Sequence, residues 1–455
     1  MKKSRFVKSI YFLLITIVSI LIIASILYFN PVLNSRHPNV VLITVDALRS
    51  DHLSCYGYHK DTTPNIDKLS QEGAIFSRAV STATWTAPSI LSILTSLYPR
   101  AFGMLEVGKG WSSMPINSTY NLSNILKENK YQTCFISSHY GLNKITGIKK
   151  KFDTFNCWVT GRDNKITDLA IAWLENNHNK PFFLWLHYMG PHAPYLPPPP
   201  YDMLYLDKKD NHTRKGIILE NIPQYAVLDG ITEVSDYIAQ YDGEIAFTDE
   251  QIGILLQNIK RLGLFHKTVI ILTADHGESL GEHNCYFDHG GKLYDTVLRV
   301  PLIILYSSVI PGGKIIKRQV SLVDIMPTVL DILMIKKMNK AIDGISLLPL
   351  ILNKKTDYNN YVFSERFFNR ERQIAVRATG WKLIYNSYRK EYELYNLDED
   401  PGETKNIVFI EQERLKVLKQ KLDDYINGAL PLINKTKQAF DGQAKEELKS
   451  LGYLQ

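Results

Sequence analysis

Three places along the chain hold residues able to manage an oxyanion. Asp46 closes an apolar run from Val40 to Val45, and Asp275 closes another that starts at Thr268. His276 stands directly behind Asp275, followed by Gly277 and Glu278. An acidic residue at a strand end is often only a turn cap. The Asp275-His276 pair argues against that reading, because a carboxylate from one strand and a carboxylate–imidazole pair from another make an oxygen/nitrogen set suited to a divalent cation. Thr86 lies in the segment Thr84–Ser89, just ahead of Pro88. A threonine there is ordinarily a helix cap or a buried hydroxyl. It becomes a nucleophile only when a cation lowers its hydroxyl pKa beside the central atom of a bound ester.

These residues need a scaffold that gathers strand ends. Val40–Val45 and Thr268–Thr273 are almost continuous in apolar and β-branched residues, the mark of strands covered on both faces. Thr133–Ser137, Phe182–Leu186 and Pro301–Leu305 repeat the pattern, and the second of these delivers His187. Helices are expected over Thr119–Leu126, Ile166–Asn176 and Ser235–Leu262, with another opening at Pro64 and a buried helix start at Ser89–Leu94. Pro191 and the run Pro197–Pro200 keep the chain around His192 extended. This alternation implies a mixed, mostly parallel α/β sheet flanked by helices, which places ligands at the carboxyl ends of its strands. Past Gly344 the texture changes. Tyr361–Phe363, Gln373–Val376 and Trp381–Tyr385 are short strand-like pieces, followed by a helix over Gln412–Tyr425. A catalytic domain over 38–345 and a small C-terminal antiparallel α+β subdomain over 346–455 are therefore expected.

Composition bounds the partners. Of 455 residues, 45% are apolar and 22% charged, which describes a globular chain and not a disordered one. The formal charge of +7 is modest, and Lys149–Lys151 read as solvated surface. Without clustered basic and aromatic residues, no nucleic-acid partner is expected. Lys2, Lys3, Arg5 and Lys8 precede an apolar run from Ile10 to Phe29. About twenty such residues span a hydrocarbon core. The run exceeds a signal-peptide core, and its exit at Leu27–Asn30 lacks a small-residue cleavage site. Basic residues ahead of it hold the N-terminus in the cytoplasm. The expectation is a cytoplasmic tail over 1–8, a transmembrane signal-anchor over 9–29, a tether over 30–37 and an extracytoplasmic catalytic domain. A cleaved signal peptide gives the same placement. Cys55, Cys134, Cys157 and Cys285 lack metal-site spacing, which leaves one disulfide or buried thiols open.

Further motifs follow in order: VDALRSDHLSCYGY from Val45, TPNIDKL from Thr63, TAPS from Thr86, LTSLYP from Leu94 and HYMGPHAPY from His187. ADHGE from Ala274, FDHG from Phe287, RVPL from Arg299, YELYNL from Tyr392 and Asp400-Pro401 complete the set. Together they resemble the sulfatase-like branch of the alkaline phosphatase superfamily over nearly everything after the apolar run. The resemblance implies that Asp46, Thr86, Asp275 and His276 hold one divalent metal ion, Mn²⁺ or Zn²⁺ ahead of Ca²⁺ or Mg²⁺. It implies that Thr86 is the nucleophile and that His192 contacts the transferred group. His187 and His289 fall on the substrate side, His289 as leaving-group acid or charge clamp, with Lys292 a further substrate contact.

Departures from the pattern narrow the chemistry. Ala47 stands where many members carry a second ligating aspartate. Formylglycine-dependent members need Cys or Ser where this chain has Thr86, and usually Arg where it has Ile90. Threonine cannot become formylglycine, and at this position it is similar to phosphoethanolamine and glycerol-phosphate transferases and to nucleotide phosphodiesterases. The expected activity is a metal-dependent hydrolase or transferase of phosphate esters working through a covalent Thr86 intermediate, with lipid- or glycan-linked esters among the candidate substrates. Two alternatives stand beside it: a sulfuric-ester hydrolase lacking formylglycine, and a degenerate membrane-bound binding or scaffold protein.

Overall fold

Nine strands form the main sheet of the computed structural model, which describes residues 37–102, 120–145, 147–157, 162–206, 219–336, 341–354, 361–368 and 371–428, with 16 and 216 isolated. Strand β1 (Asn39–Val45) lies inside it, parallel to β5 (Phe182–Tyr188) on one side and to β6 (Thr268–Ala274) on the other. Every residue of these three strands is buried, as unbroken apolar runs require. Beyond β5 come β3 (Gln132–Ser137) and β4 (Thr154–Cys157), both parallel. Beyond β6 come β10 (Leu302–Leu305), β2 (Ala74–Val80) and β11 (Lys314–Ser321). β10 runs antiparallel to both neighbours, and β9 (Arg299–Val300), just before Pro301, pairs antiparallel with β2. The chain leaves β1 for β2 on one flank and returns to β3 on the other, and the crevice of such a reversal opens at the carboxyl ends of the strands.

Helices cover the sheet and brace its loops. The helix Val234–Arg261 buries Tyr237, Tyr241, Ile245, Ile252, Leu255 and Ile259 along one stripe. Its Asp249 accepts the backbone N–H groups of Asn65 and Ile66 at 3.0 and 2.8 Å, satisfying the first turn of the helix Pro64–Glu72. Its Asp242, wholly buried, meets His52, Tyr58 and Lys60 at 2.8 Å each and so ties down the loop that follows Asp46.

The C-terminal unit is a four-stranded antiparallel sheet: β12 (Val362–Phe368), β13 (Glu371–Ala378), β14 (Trp381–Asn386) and β15 (Glu391–Asn396). Sequence patterning anticipated three of these strands and missed the last. Leu418, Leu422 and Tyr425 of the helix Gln412–Asn427 pack on Val376, Leu383 and Leu394. Buried charges join this unit to the main body. Lys382 Nζ lies 3.0 Å from Asp295 and 2.8 Å from Glu403, and Arg377 lies 2.7 Å from Asp295. A separate hairpin, β7 (Ser279–Leu280) with β8 (Tyr286–Asp288), carries the chain from Glu278 to His289. All four cysteines are free thiols. The expected tail, signal-anchor and tether lie outside the described residues except for Thr16 and His37, as do residues 429–455. Among the described residues, no helix is long and apolar enough to cross a membrane.

Candidate active site

The carboxyl ends of β1, β5 and β6 deliver the first ligand-type side chains. Asp46 follows β1 directly, its N–H bonded to Tyr188 O at 2.9 Å. Ala47 then turns the chain with left-handed backbone (φ 55), a costly conformation for a residue with a Cβ. The Tyr241 hydroxyl holds that turn by donating to Ala47 O at 2.7 Å and accepting Arg49 N–H at 3.0 Å. On the other side of the crevice Ser81, just past β2, donates to the backbone oxygen of Asp275 and lies 3.0 Å from Ser89 Oγ. That hydroxyl fixes the loop before Thr86 against the end of β6. Thr86 opens the helix Thr86–Thr95 after Trp85 in extended backbone (φ −157), and every residue of the helix is buried.

His187 lies within β5, in register with Thr44 of β1. The Thr44 oxygen accepts the Trp185 indole N–H at 3.0 Å and lies 3.3 Å from Leu186 O, which can only accept. The Thr44 proton therefore goes to Leu186, and its oxygen takes Nδ1–H of His187 at 2.9 Å. The network so assigns the Nε2 lone pair to the side of Asp46 Oδ2, 3.3 Å away. His276 repeats the arrangement. Its Nδ1–H donates to Gly277 O at 2.9 Å, and its Nε2 lies 3.3 Å from Asp46 Oδ1, 3.5 Å from Asp275 Oδ2 and 3.4 Å from Thr86 Oγ1. Thr86 Oγ1 donates to Asp46 Oδ2 at 3.3 Å.

These groups fit a divalent cation. Asp46, His187 and Asp275 each present a ligand atom within 4.8 Å of the others, and all three side chains are buried. Asp46 Oδ1, Asp275 Oδ2 and His187 Nε2 take no hydrogen bond from the protein. Burial and the Asp46 charge push Asp275 up to about 8. Burial also opposes ionisation of Asp46, but the surrounding His192, His187 and His276 hold it well below the usual range. Two carboxylates this close share one negative charge unless a cation lies between them. The ligand set of two carboxylates and an imidazole nitrogen suits a divalent cation.

Three imidazoles adjoin one another at this cluster: His289 stacks on His276 and meets His192 edge-on. The His289 ring lies 4.4 Å from that of His276 and 5.0 Å from that of His192, centroid to centroid. His289 Nδ1 meets Glu278 Oε1 at 3.3 Å, and its backbone N–H is capped by Asp288 at 2.9 Å. Burial alone would lower its pKa, but the Glu278 charge wins and raises it to about 9. Burial lowers His192 and takes His276 well below the usual range. His289 is thus the proton-rich ring of the three. His192 sits on a turn braced by Asp163, which accepts Met189 N–H and Gly190 N–H at 3.0 and 3.1 Å and the Thr248 hydroxyl at 2.6 Å. Its Nδ1–H donates to Ala193 O at 2.6 Å.

The structure thus brings together Asp46, Thr86, His187, His192, Asp275, His276 and His289. Lys292 is half-buried on the loop after His289, its charge felt at the Cys285 thiol, and no described contact joins it to the group. Sequence reasoning set His187 on the substrate side, whereas its Nε2 lies among the carboxylates. It overlooked His139, whose Nε2 is 4.0 Å from Asp46 Oδ2 just beyond the end of β3. The strand-end argument that found Asp46 would have found it too. Glu278 was visible in its motif, but its pairing with His289 spans a hairpin that only the fold reveals.

The family model described as Sulfatase matches residues 38–335, and that of the N-sulphoglucosamine sulphohydrolase C-terminal region matches residues 281–428. An arylsulfatase of Clostridium perfringens is 26% identical over 469 residues, covering 86% of this chain and 95% of that protein. An N-acetylglucosamine-6-O-sulfatase of Bacteroides thetaiotaomicron is 25% identical over 470 residues, covering 82% and 83%. The solved phosphonate monoester hydrolase of Silicibacter pomeroyi shares the fold, with a TM-score of 0.73 at 20% identity over 86% of this chain and 96% of that one.

Proposed function

This chain belongs to the sulfatase family, and we propose that it transfers a phosphoryl group from a phosphate ester, with metal assistance, through a covalent adduct on Thr86. The acceptor is water or a second alcohol. One observation carries the reading: the buried Thr86 hydroxyl lies 3.3 Å from Asp46 Oδ2 and 3.4 Å from His276 Nε2. It also opens a helix, whose N-terminal dipole favours an anion there.

Asp46, Asp275, His276 and Thr86, with His187 beside them, would hold one divalent ion, Mn²⁺ or Zn²⁺ ahead of Ca²⁺ or Mg²⁺, and its charge would lower the Thr86 pKa and screen the ester oxygens. The chain's own groups handle the rest. The Thr86 Oγ1–phosphorus bond forms as the bond to the leaving oxygen breaks, and the Thr86 proton departs toward Asp46 Oδ2, to which it already points. His289, proton-rich beside Glu278, supplies the proton that the leaving oxygen needs. His192 meets the transferred group. In the second half His289, now neutral, takes the proton of the incoming water or alcohol as that oxygen attacks phosphorus, and Thr86 leaves with its proton restored.

The relatives named as sulfatases favour a second reading, sulfate-ester hydrolysis. Against it stands the residue itself. A threonine sulfate lacks the elimination route open to an aldehyde hydrate, whereas a threonine phosphate can be attacked at phosphorus. The extracytoplasmic placement behind a signal-anchor over 9–29 belongs to this proposal and is supported by the basic flank and the apolar run Ile10–Phe29. The deciding experiment gives the metal-loaded full chain p-nitrophenyl phosphate, bis(p-nitrophenyl) phosphate and p-nitrophenyl sulfate, with acid quench and peptide mapping. A phosphoryl adduct on Thr86 is expected. Turnover of the sulfate with neither phosphate ester cleaved would overturn the phosphoryl reading.

A further inference from the structure

The reacting groups are sealed inside the fold. Thr86, Asp46, His187, Asp275 and His276 have no exposed surface, and His192 and His289 expose only 4% and 3%. A substrate therefore reaches them past residues that are partly open. Gly290 and Gly291, on the turn after His289, are half-buried, and a Cβ added at Gly290 would meet nothing within 4 Å. Tyr225 is a further half-buried residue beside these histidines, and an aromatic one. Its ring centroid lies 6.5 Å from that of His192, with the planes tilted by 37°.

Tyr225 is held at both ends. Its hydroxyl donates to Asp288 Oδ1 at 3.1 Å, and that same oxygen accepts the N–H of His289 at 2.9 Å and of Gly290 at 3.4 Å. At its backbone end, the neighbouring Ala226 is fully buried, with its N–H bonded to Pro223 O at 2.8 Å. A single carboxylate thus fixes the aromatic ring relative to the turn that carries His289. The bond to the leaving oxygen must lie within reach of His289, so the remainder of the leaving group extends from there toward the half-open residues.

We infer that Tyr225 is a specificity-determining residue, the fixed face against which the leaving group lies, and that it selects leaving groups built on a ring with an apolar face. A pinned aromatic face rewards a second ring because neither partner must be ordered on binding, and such ring pairs add to simple area burial. An unbranched alkyl group covers little of that face. The inference rests on the phosphoryl-transfer reading above and adds the chemical class of the leaving group.

The test compares the metal-loaded full chain with its Tyr225→Leu and Tyr225→Phe variants on phenyl phosphate, glucose 1-phosphate and ethyl phosphate. Tyr225→Leu should lower kcat/KM for the ring esters about tenfold more than for ethyl phosphate, mainly through KM. Tyr225→Phe, which keeps the face and loses the hydroxyl, should retain most of the ring preference. A response confined to phenyl phosphate identifies an aryl leaving group, and one confined to glucose 1-phosphate a glycosyl group. Calorimetric binding of phenylphosphonate and methylphosphonate to the Thr86→Ala chain, with and without Tyr225→Leu, should show the same contrast without turnover. Equal losses for ring and alkyl esters, or phenylphosphonate binding unchanged by Tyr225→Leu, would overturn the inference while leaving the phosphoryl reading intact. Cleavage of sulfate esters alone would overturn that reading, and phenyl sulfate against ethyl sulfate would then read the ring contrast.

Discussion

Glu278 Oε1 lies 3.3 Å from Nδ1 of His289, with both side chains inside the protein. The pairing raises His289 from an ordinary value near 6.5 to about 9, against the effect of burial. If His289 gives the leaving-group proton, kcat should hold through neutrality and fall above about pH 9. Glu278→Gln removes the charge, so the fall should move down toward about pH 6.5. A pH–kcat profile unchanged by Glu278→Gln would contradict the assignment. Stability follows the same sign. The folded-state pKa of His289 exceeds its unfolded value, so its contribution is complete below about 6.5 and is lost as pH rises through about 9.

Thr86→Ala should lower kcat on the order of 10⁴-fold and abolish the covalent adduct, while Thr86→Ser should keep both the hydroxyl and measurable turnover. Stopped-flow kinetics with mass mapping of the quenched protein checks this. An alanine variant with full turnover would remove Thr86 from the chemistry.

Chelation should abolish turnover and lower the melting temperature, because Asp46 and Asp275 then face each other without a cation. The effect has a pH signature. In the chelated protein Asp275 is raised to about 8, so stability should decline as pH climbs from about 4 to 8. Asp275→Asn should bind less metal yet melt above the chelated parent near pH 7. Melting curves with and without chelator, alongside elemental analysis, give the answer.

Gly190→Ala should cost about 1–3 kcal/mol, since the added Cβ would run into the Thr248 hydroxyl. Because that hydroxyl and Asp163 brace the turn carrying His192, kcat should fall as well, and Asp163→Ala should reproduce the kinetic defect. Denaturant melts and steady-state rates measure the two effects separately. Lys382→Met tests the other end of the molecule. It leaves Asp295 and Glu403 buried with less compensating charge and should cost about 3–5 kcal/mol.

Much of this architecture is written in local pattern. Val40–Val45 and Thr268–Thr273 are apolar enough to be strands in isolation, and Asp46 and Asp275 follow from where those runs stop. The long helix, expected over Ser235–Leu262, spans Val234–Arg261 because its buried stripe is periodic throughout. Strands with less contrast escaped notice. β2 (Ala74–Val80) carries Ser77 and Arg78 at its centre, and β11 (Lys314–Ser321) exposes charged residues along an edge of the sheet. The expected strand Phe182–Leu186 continues to Tyr188, which turns His187 from a loop residue into a partner of Thr44. The Thr44–His187 and Glu278–His289 pairs depend on register and on a hairpin, neither of which periodicity encodes. Local pattern showed Thr86 only as a hydroxyl before a turn; the family resemblance singled it out as the nucleophile, and its distances to Asp46 and His276 had to come from the fold.

The direction of β1 sets how the enzyme meets its surroundings. The strand begins at Asn39, with Pro38 O held by the Tyr131 hydroxyl at 3.0 Å, and it reaches Asp46 only after seven residues, about 23 Å of extended chain. A signal-anchor over 9–29, as proposed above, would therefore hold the domain by the end of β1 remote from Asp46. Its catalytic end would then face away from the point of attachment by the length of that strand, and that reach would bear on which esters it meets.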